Sequence, residues 1–409
     1  KMRIKKFCRI CDGKLQLIIN FGKIALIGNF SKSYKKQKKY KISLNYCLKC
    51  FHIQIAEIIN PNKIFKNYTW ETGISKTNLK IIDGLINQLK KRKLARNSKV
   101  LEIASNDGTF VNRLYKKTKC KVVGIDPAKN LNKLNFNKST VRISSFFNYK
   151  NSIKLKKKFN NFDFIIARNV VAHIEDPKEI FRGSENLLKN NGFLIVEVPH
   201  LYNIFKYNQY DNIFHEHIGF HSLKSISDMA ILNNLKLIDV EKIDSQGGSI
   251  RCFLSNKNSS EKISRRVKEV INAEQKLGLN SPSKLRSFKV KILLHIKKLK
   301  KLLQDFKKKQ KRIFIYGASG KGLALMQFCN INKKIVDYVF DKSKLKQGCF
   351  TPGTQIRIKS PSDIKKTNIQ YLLLLSWNLK KEIINQEKYF IQNGGKFIIP
   401  FPSPKIVQK

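Results

Sequence analysis

Three groups of residues in this chain have the types and spacing to do chemistry. The first is a pair of C-x-x-C knuckles, Cys8-Arg9-Ile10-Cys11 and Cys47-Leu48-Lys49-Cys50. A two-residue gap lets one turn present two thiolates to one ion, and four thiolates suit tetrahedral Zn2+. With Cys8, Cys11, Cys47 and Cys50 all bound, no coordination position stays open, so such a zinc is structural rather than catalytic. Disulfides are the competing use, and a reducing cytosol disfavours them. Cys120, Cys252, Cys329 and Cys349 are scattered and read as packing residues.

The second group is Val100-Leu101-Glu102-Ile103-Ala104-Ser105-Asn106-Asp107-Gly108. A short apolar run ends in a turn of small and polar residues, and Phe110, Val111 and Leu114 follow at helical spacing. That is the outline of strand, turn and helix. It brings backbone N–H groups to the strand's C-terminal edge, where open α/β sheets bind ligands. The next strand, Lys121 to Ile125, runs into Asp126 and Pro127, and an acid there is placed to accept from a ribose diol. The turn lacks G-x-G-x-x-G, because Ala104 and Asn106 hold two of its places. Asp107 would also repel a pyrophosphate. S-adenosylmethionine is a sulfonium cation without phosphate, and acids near it are favourable. The residues therefore point to a class I methyltransferase core, with cofactor contacts expected from Glu102, Ala104, Asn106, Asp107, Gly108, Asp126 and Pro127.

The third group is Phe214-His215-Glu216-His217-Ile218-Gly219-Phe220-His221, which holds three of the seven histidines. Its spacing is poor for zinc, and the H-E-x-x-H of zinc proteases is absent. Acid/base work fits better, since histidine titrates near neutral pH and a carboxylate can fix its tautomer. His215 and His217 would share one side of an extended segment, so periodicity alone does not separate them.

These groups must be positioned by the elements around them. Leu79 to Leu94 has apolar residues at helical spacing and leads into the first strand. Val141 to Ile143, Phe162 to Arg168 and Gly192 to Pro199 read as further strands, giving a parallel sheet with right-handed crossovers. Phe147 follows one strand and joins the expected cofactor contacts; Asn169 and His173 lie just past the next, at the ligand edge. Tyr68 and Trp70 alternate before the core, either as an edge strand or as a lid. Gln246-Gly247-Gly248-Ser249-Ile250-Arg251 could bring N–H groups and a guanidinium to an anion. Lys-rich Ser260 to Lys311 reads as two helices broken at Asn280-Ser281-Pro282. A second strand and glycine turn, Arg312 to Gly322, includes Tyr316, Gly317 and Lys321. It has no acid, and glycines, a helix start and Lys321 suit a diphosphate.

The chain has 409 residues and is 42% hydrophobic, so two or three globular domains are expected. No apolar run reaches a membrane span and no secretory signal pattern is visible, so a cytoplasmic location is expected. The net charge of +54 invites a nucleic-acid reading. Lys far outnumbers Arg, however, and is spread over the whole chain, which reads as coding bias rather than a built patch.

The ordered set of motifs resembles the sugar C-methyltransferases of deoxysugar and surface-polysaccharide pathways, which methylate a ring carbon of a nucleotide-linked keto-sugar. The resemblance is carried by the four cysteines, Glu102 to Gly108, Asn169 to Ile174, Phe214 to His217, Gly247 to Arg251 and the C-terminal turn. Gln347 to Thr354 and Leu374 to Asn378 also match. The resemblance implies a structural zinc, S-adenosylmethionine, a general base at His217, and active-site positions at His173 and Glu216. It implies substrate contacts from Tyr68, Trp70, Phe214, His215, Gly248, Arg251, Tyr316, Gly317 and Lys321. The family often has tyrosine where Phe214 and Trp70 stand. The implied architecture is α/β: a zinc module over 1–70, a Rossmann-like methyltransferase core over 71–258, a helical linker over 259–311, and a C-terminal Rossmann-like domain over 312–409. A nucleotide-sugar substrate is expected, without nucleic acid, in a monomer or weak homo-oligomer. The competing readings are a tRNA or other nucleic-acid methyltransferase, and a non-catalytic zinc-bearing protein that binds sugar nucleotides.

Overall fold

The computed structural model describes residues 2–131 and 140–408. Near the N-terminus, β1 (Leu15–Ala25) and β2 (Lys39–Cys47) pair antiparallel from Leu15↔Cys47 to Ala25↔Lys39. The short β3 (Ile53–Ile55) adds to β2, and the two-residue strand Gly219–Phe220 adds to β3. The histidine loop is thus stitched to the N-terminal sheet by main-chain bonds.

The core follows α1 (Lys76–Lys91), whose Ile82, Leu85, Ile86 and Leu89 form its buried stripe. In chain order come β4 (Lys99–Ile103), α2 (Thr109–Thr118), β5 (Lys121–Ile125), β6 (Thr140–Ile143), α3 (Tyr149–Phe159), β7 (Phe162–Arg168), α4 (Lys178–Leu187) and β8 (Leu188–Pro199). An antiparallel hairpin of β9 (Leu235–Ile243) and β10 (Ser249–Asn256) completes a seven-stranded sheet in the order β9-β10-β8-β7-β4-β5-β6. Only β4 to β8 are parallel; β10 runs antiparallel to β8 and to β9. The inner parallel strands β4 and β5 are buried on both faces, as strands covered by helices on each face must be. The chain leaves β4 toward β5 and β6, then returns to β7 on β4's other side. That reversal opens a crevice at the C-terminal ends of β4 and β7.

Two helices, α5 (Arg265–Leu277) and α6 (Pro282–Lys308), follow, the first closed by Gly278 in left-handed backbone and the second opened by proline. Leu285, Phe288, Ile292, His295, Leu299 and Leu303 mark the face that α6 buries. A second sheet has β11 (Ile313–Tyr316), β12 (Val339–Phe340), β13 (Ile358–Lys359), β14 (Tyr371–Leu374), β15 (Lys396–Ile399) and β16 (Lys405–Val407) in the order β13-β12-β11-β14-β15-β16. Between β11 and β12 lies α7 (Gly320–Phe328). The order reverses between β11 and β14, which makes a second crevice.

The N-terminal sheet, α6 and the C-terminal sheet share one apolar core, with Ile42 and Leu44 joined to Phe205, Ile292, Ile315 and Leu325. The N-terminal and C-terminal regions therefore pack directly against each other. No helix among the described residues is long and apolar enough to cross a membrane.

Candidate active site

The two knuckles have the same local geometry. Cys8 N–H donates to Gly13 O at 2.9 Å and Cys47 N–H to His52 O at 2.9 Å. The residue after each second cysteine, Asp12 and Phe51, is in left-handed backbone. Cys8 Sγ lies 3.6 Å from Cys50 Sγ, and Cys11 Sγ lies 3.5 Å from Cys47 Sγ. All four Sγ atoms fall within 4.8 Å of one another. A tetrahedron with Zn–S of about 2.3 Å has edges of ~3.8 Å, so four thiolates at this spacing fit a zinc ion. None of these sulfurs lines the cavity described next, in keeping with a structural metal.

A cavity of about 490 Å³ lies where the two crevices face each other. One wall is the β4 turn. Ala104 and Asn106 take left-handed backbone there, at φ of 58° and 53°, a strain that is stored where a ligand or partner needs the shape. Asp126, ending β5, accepts from Asn106 N–H at 2.8 Å and from Ala128 N–H at 2.7 Å. Ala104, Asn106, Asp126, Pro127, Phe147 and Asn169 all line the cavity. Asn169 Oδ1 is buried without a partner and sits at the mouth of β7. These features fit the adenosine and amino-acid portions of S-adenosylmethionine, whose neutral and cationic parts need acceptors there.

Three expected cofactor contacts are placed otherwise. Asp107 turns away, accepting from Gly73 N–H at 2.9 Å and Thr109 N–H at 3.1 Å. Gly108 caps α2 in left-handed backbone. Glu102 is buried against Arg168 at 2.7 Å, and burial pushes its carboxyl up to about 7. None of the three lines the cavity, though Arg168 does.

Tyr68 and Trp70 are on a loop, not a strand. Asn130 pins Tyr68 at both backbone groups, at 2.8 and 2.7 Å. Asn106 accepts from Thr72 N–H at 3.1 Å and donates to Trp70 O at 3.1 Å. The turn after β4 therefore holds the loop over residues 68–72. Glu382, from the C-terminal region, fastens the same loop's exit by accepting from Ser75 Oγ at 2.9 Å and Thr77 Oγ1 at 2.7 Å.

The histidine loop forms the floor. His217 N–H bonds Phe214 O at 2.9 Å, a turn that throws His215 and His217 to different sides. His217 Nδ1 lies 3.0 Å from Asn212 O. A carbonyl only accepts, so Nδ1 carries the proton and Nε2 keeps the lone pair. Phe214 packs on His217 with ring centres 4.1 Å apart, and His173 meets it edge-on at 4.8 Å. Burial, with the charges of His173 and Lys321, holds His217 well below the usual imidazole range. Tyr68 Oη donates to Glu216 Oε2 at 3.1 Å, and burial pushes Glu216 up to about 7.

His215, Gly248 and Arg251, expected at the substrate, do not line the cavity. His215 Nε2 lies 3.0 Å from Lys41 O and faces the N-terminal sheet. Gly248 sits in the β9–β10 hairpin at φ of 108°, where a Cβ would come within 2.1 Å of Asn203. Arg251 lies within β10, with Glu197 at 2.6 Å and Glu241 at 3.2 Å taking its charge.

The C-terminal turn forms the roof. Tyr316, Gly317 and Lys321 line the cavity, although Tyr316 Oη donates outward to Glu387 at 2.9 Å. Asp341, past the end of β12, accepts from Ala318 N–H at 2.6 Å and Ser343 N–H at 2.8 Å. This repeats what Asp126 does at β5. Sequence reasoning missed Asp341, Arg168, Asn212 and Glu382. Asp341 alone left a signal, an acid after the second strand of a second strand-turn-helix unit.

Three families match along the chain. They are a zinc binding domain over residues 8–65, a methyltransferase domain over 76–240, and a C-methyltransferase C-terminal domain over 244–402. The C-methyltransferase NovU of Streptomyces niveus is 29% identical over 98% of this chain and 96% of its own. Among solved structures, the PH0226 protein of Pyrococcus horikoshii is 17% identical and overlaps 48% of this chain and 98% of its own, with a TM-score of 0.36. Magnesium protoporphyrin IX methyltransferase of Synechocystis, with bound SAH, is 13% identical over 44% of this chain and 85% of its own, with a TM-score of 0.34.

Proposed function

We propose, for a chain that belongs to the S-adenosylmethionine-dependent C-methyltransferases with an N-terminal zinc-binding module, that the acceptor is a ring carbon beside the ketone of a nucleotide-linked deoxysugar. The observation that carries this reading is the tautomer of His217. Its Nδ1 proton is committed to Asn212 O, and its Nε2 lone pair is left for the cavity. A sugar C–H is no nucleophile until a neighbouring carbonyl makes it acidic and a base removes the proton. When bound, S-adenosylmethionine supplies an electrophilic methyl group on sulfonium.

In this reading His217 takes the proton, and His173 and Glu216 line the same floor. Tyr68 orients Glu216, and Trp70 and Phe214 close the apolar sides. Ala104, Asn106, Asp126, Pro127, Phe147 and Asn169 hold the cofactor. The nucleotide end belongs to residues 312–409, because the start of α7 offers N–H groups to a diphosphate and faces the same cavity. Residues 1–70 are the metal module, 71–258 the methyl-transfer core and 259–311 the helical link. A reducing cytoplasm suits four thiolate ligands.

The test is wash-in of solvent deuterium at the sugar carbon with S-adenosylhomocysteine present, so that no methyl group can move. Exchange from a thymidine diphosphate-linked 4-keto-6-deoxyhexose or its uridine counterpart is expected. Methylation on oxygen, with no exchange at carbon, would overturn the reading.

A further inference from the structure

Lys321 stands near the start of α7, where a lysine would ordinarily reach into water. Instead its side chain turns inward and only 5% of the residue is exposed. Its Nζ donates to Gln246 O and lies 5.7 Å from the centre of the Trp377 ring. Among the described residues no carboxylate comes within ion-pairing distance of it. Asp211 is the acid whose field reaches it; one oxygen of Asp211 accepts from Trp377 Nε1 at 2.7 Å and the other is buried without a partner. An ammonium has three N–H donors, and Gln246 O takes one of them. Burying such a charge unpaired is costly, and a ligand bearing negative charge repays it.

Its neighbourhood says where that charge arises. A Cβ at Gly320 would lie 3.4 Å from Phe214 Cζ, and Phe214 packs on the His217 ring. The start of α7 is thus one ring away from His217, and Lys321 and His217 line the same cavity. The other cations of the cavity are committed or exposed. Arg168 is paired with Glu102 at 2.7 Å, Lys346 bonds Ala318 O at 3.0 Å with the Asp341 carboxylate 3.8 Å away, and Lys342 faces solvent.

We propose that Lys321 is a catalytic residue that donates to the ketone oxygen of the sugar as that oxygen becomes an enolate. This rests on the reading of His217 as the base. The C–H bond breaks and its proton goes to His217 Nε2. The pair left behind forms the C=C bond, and the carbonyl π pair moves onto oxygen, where the ammonium meets it. The enolate carbon then bonds the sulfonium methyl group, and the electrons of the broken S–C bond stay on sulfur. Burial brings Lys321 down to about 8, which leaves it charged at neutral pH. The diphosphate is left to the N–H groups at the start of α7.

Lys321→Met and Lys321→Gln are made in the full chain, and unchanged S-adenosylhomocysteine affinity certifies the fold. Deuterium wash-in is followed with the thymidine diphosphate-linked keto-hexose at saturation, and thymidine diphosphate affinity is measured by calorimetry. Exchange is expected to fall about 100-fold or more, the scale of losing one oxyanion donor, with thymidine diphosphate affinity within about threefold. If affinity falls about tenfold and exchange at saturation is unchanged, Lys321 is a diphosphate anchor and the proposal is overturned. Equal losses in both quantities overturn it too. His217→Asn is run beside these variants. Wild-type exchange in that protein defeats the reading of the base, whatever the Lys321 variants do.

Discussion

The Arg9 guanidinium donates to the carbonyl of Ile218, 3.3 Å away, and so grips the residue that follows His217. A second Arg9 bond reaches Ile55 O at 2.9 Å, and Ile55 N–H itself bonds Ile218 O at 3.2 Å. Arg9 lies between the cysteines of the first knuckle. The metal module is therefore the anchor of the histidine loop. Arg9→Met should lower kcat by about tenfold or more, because small misplacements of a base are costly, with the KM for S-adenosylmethionine within about twofold. Steady-state kinetics with both substrates varied would check this. An unchanged kcat in a folded variant would show that the loop holds its shape unaided.

The same chain of contacts predicts a consequence of metal removal. No cysteine of the cluster lines the cavity, yet stripping zinc with a chelator should abolish deuterium exchange and lower the melting temperature. Adding zinc back should restore both. S-adenosylhomocysteine affinity should change far less, since the β4 turn is made by the core sheet. Calorimetry and thermal melts on the same samples separate these effects.

His215 and His217 should behave oppositely. His217→Asn should remove exchange while leaving S-adenosylhomocysteine bound. His215→Asn should keep exchange but cost about 1 kcal/mol of stability, the loss of its bond to Lys41 O. Urea denaturation of the two variants beside their exchange rates would check the pair. Exchange lost only in the His215 variant would reverse the assignment.

Much of this was legible because the chemistry and the local pattern agree. The β4 turn, Asp126, the paired knuckles and the break before α6 each carry a local signature. Asp107 and Asn106 look alike in sequence, but one turns outward to Gly73 and the other lies at the cavity, a choice made by left-handed backbone at Ala104 and Asn106. His215 and His217 were inseparable by alternation because the loop turns between Phe214 and His217. Arg251 looked like an anion ligand until β8 and β9 placed Glu197 and Glu241 beside it. Glu382 had no signal because Ser75 and Thr77 are far away in the chain, and Asn212 had none because it acts through a backbone carbonyl that any residue supplies. The union of the two terminal regions in one core is likewise a long-range fact.

Asp126 is expected to combine two tasks. Its oxygens hold the Asn106 and Ala128 N–H groups and still have lone pairs for ribose hydroxyls. Asp126→Ala should weaken S-adenosylhomocysteine binding by ~1.5–3 kcal/mol, the cost of losing charged hydrogen bonds and loosening the turn. Asp126→Asn keeps one acceptor oxygen and should lose less. Calorimetry giving wild-type affinity for both variants would argue that the ribose lies elsewhere.

Glu216 should give the protein a pH-dependent stability with a definite sign. Burial raises its carboxyl from the ordinary 4.5 to about 7, against the opposing pull of the Tyr68 hydroxyl and Lys346. In the unfolded chain the carboxyl ionises near its ordinary value, while the folded protein keeps the proton. Between the two values the unfolded state binds fewer protons, so stability falls as pH rises toward 7. Below both values the contribution is fully present. Glu216→Gln removes the ionisation, so its stability should fall less between about pH 5 and about pH 7.5, by up to about 3 kcal/mol. Glu102 is raised in the same sense by burial, but it is present in both proteins and cancels in the comparison. Urea denaturation of wild type and variant at the two pH values, without ligands, gives the difference directly. The same pH dependence in wild type and variant over this interval would mean that Glu216 is already ionised in the folded protein.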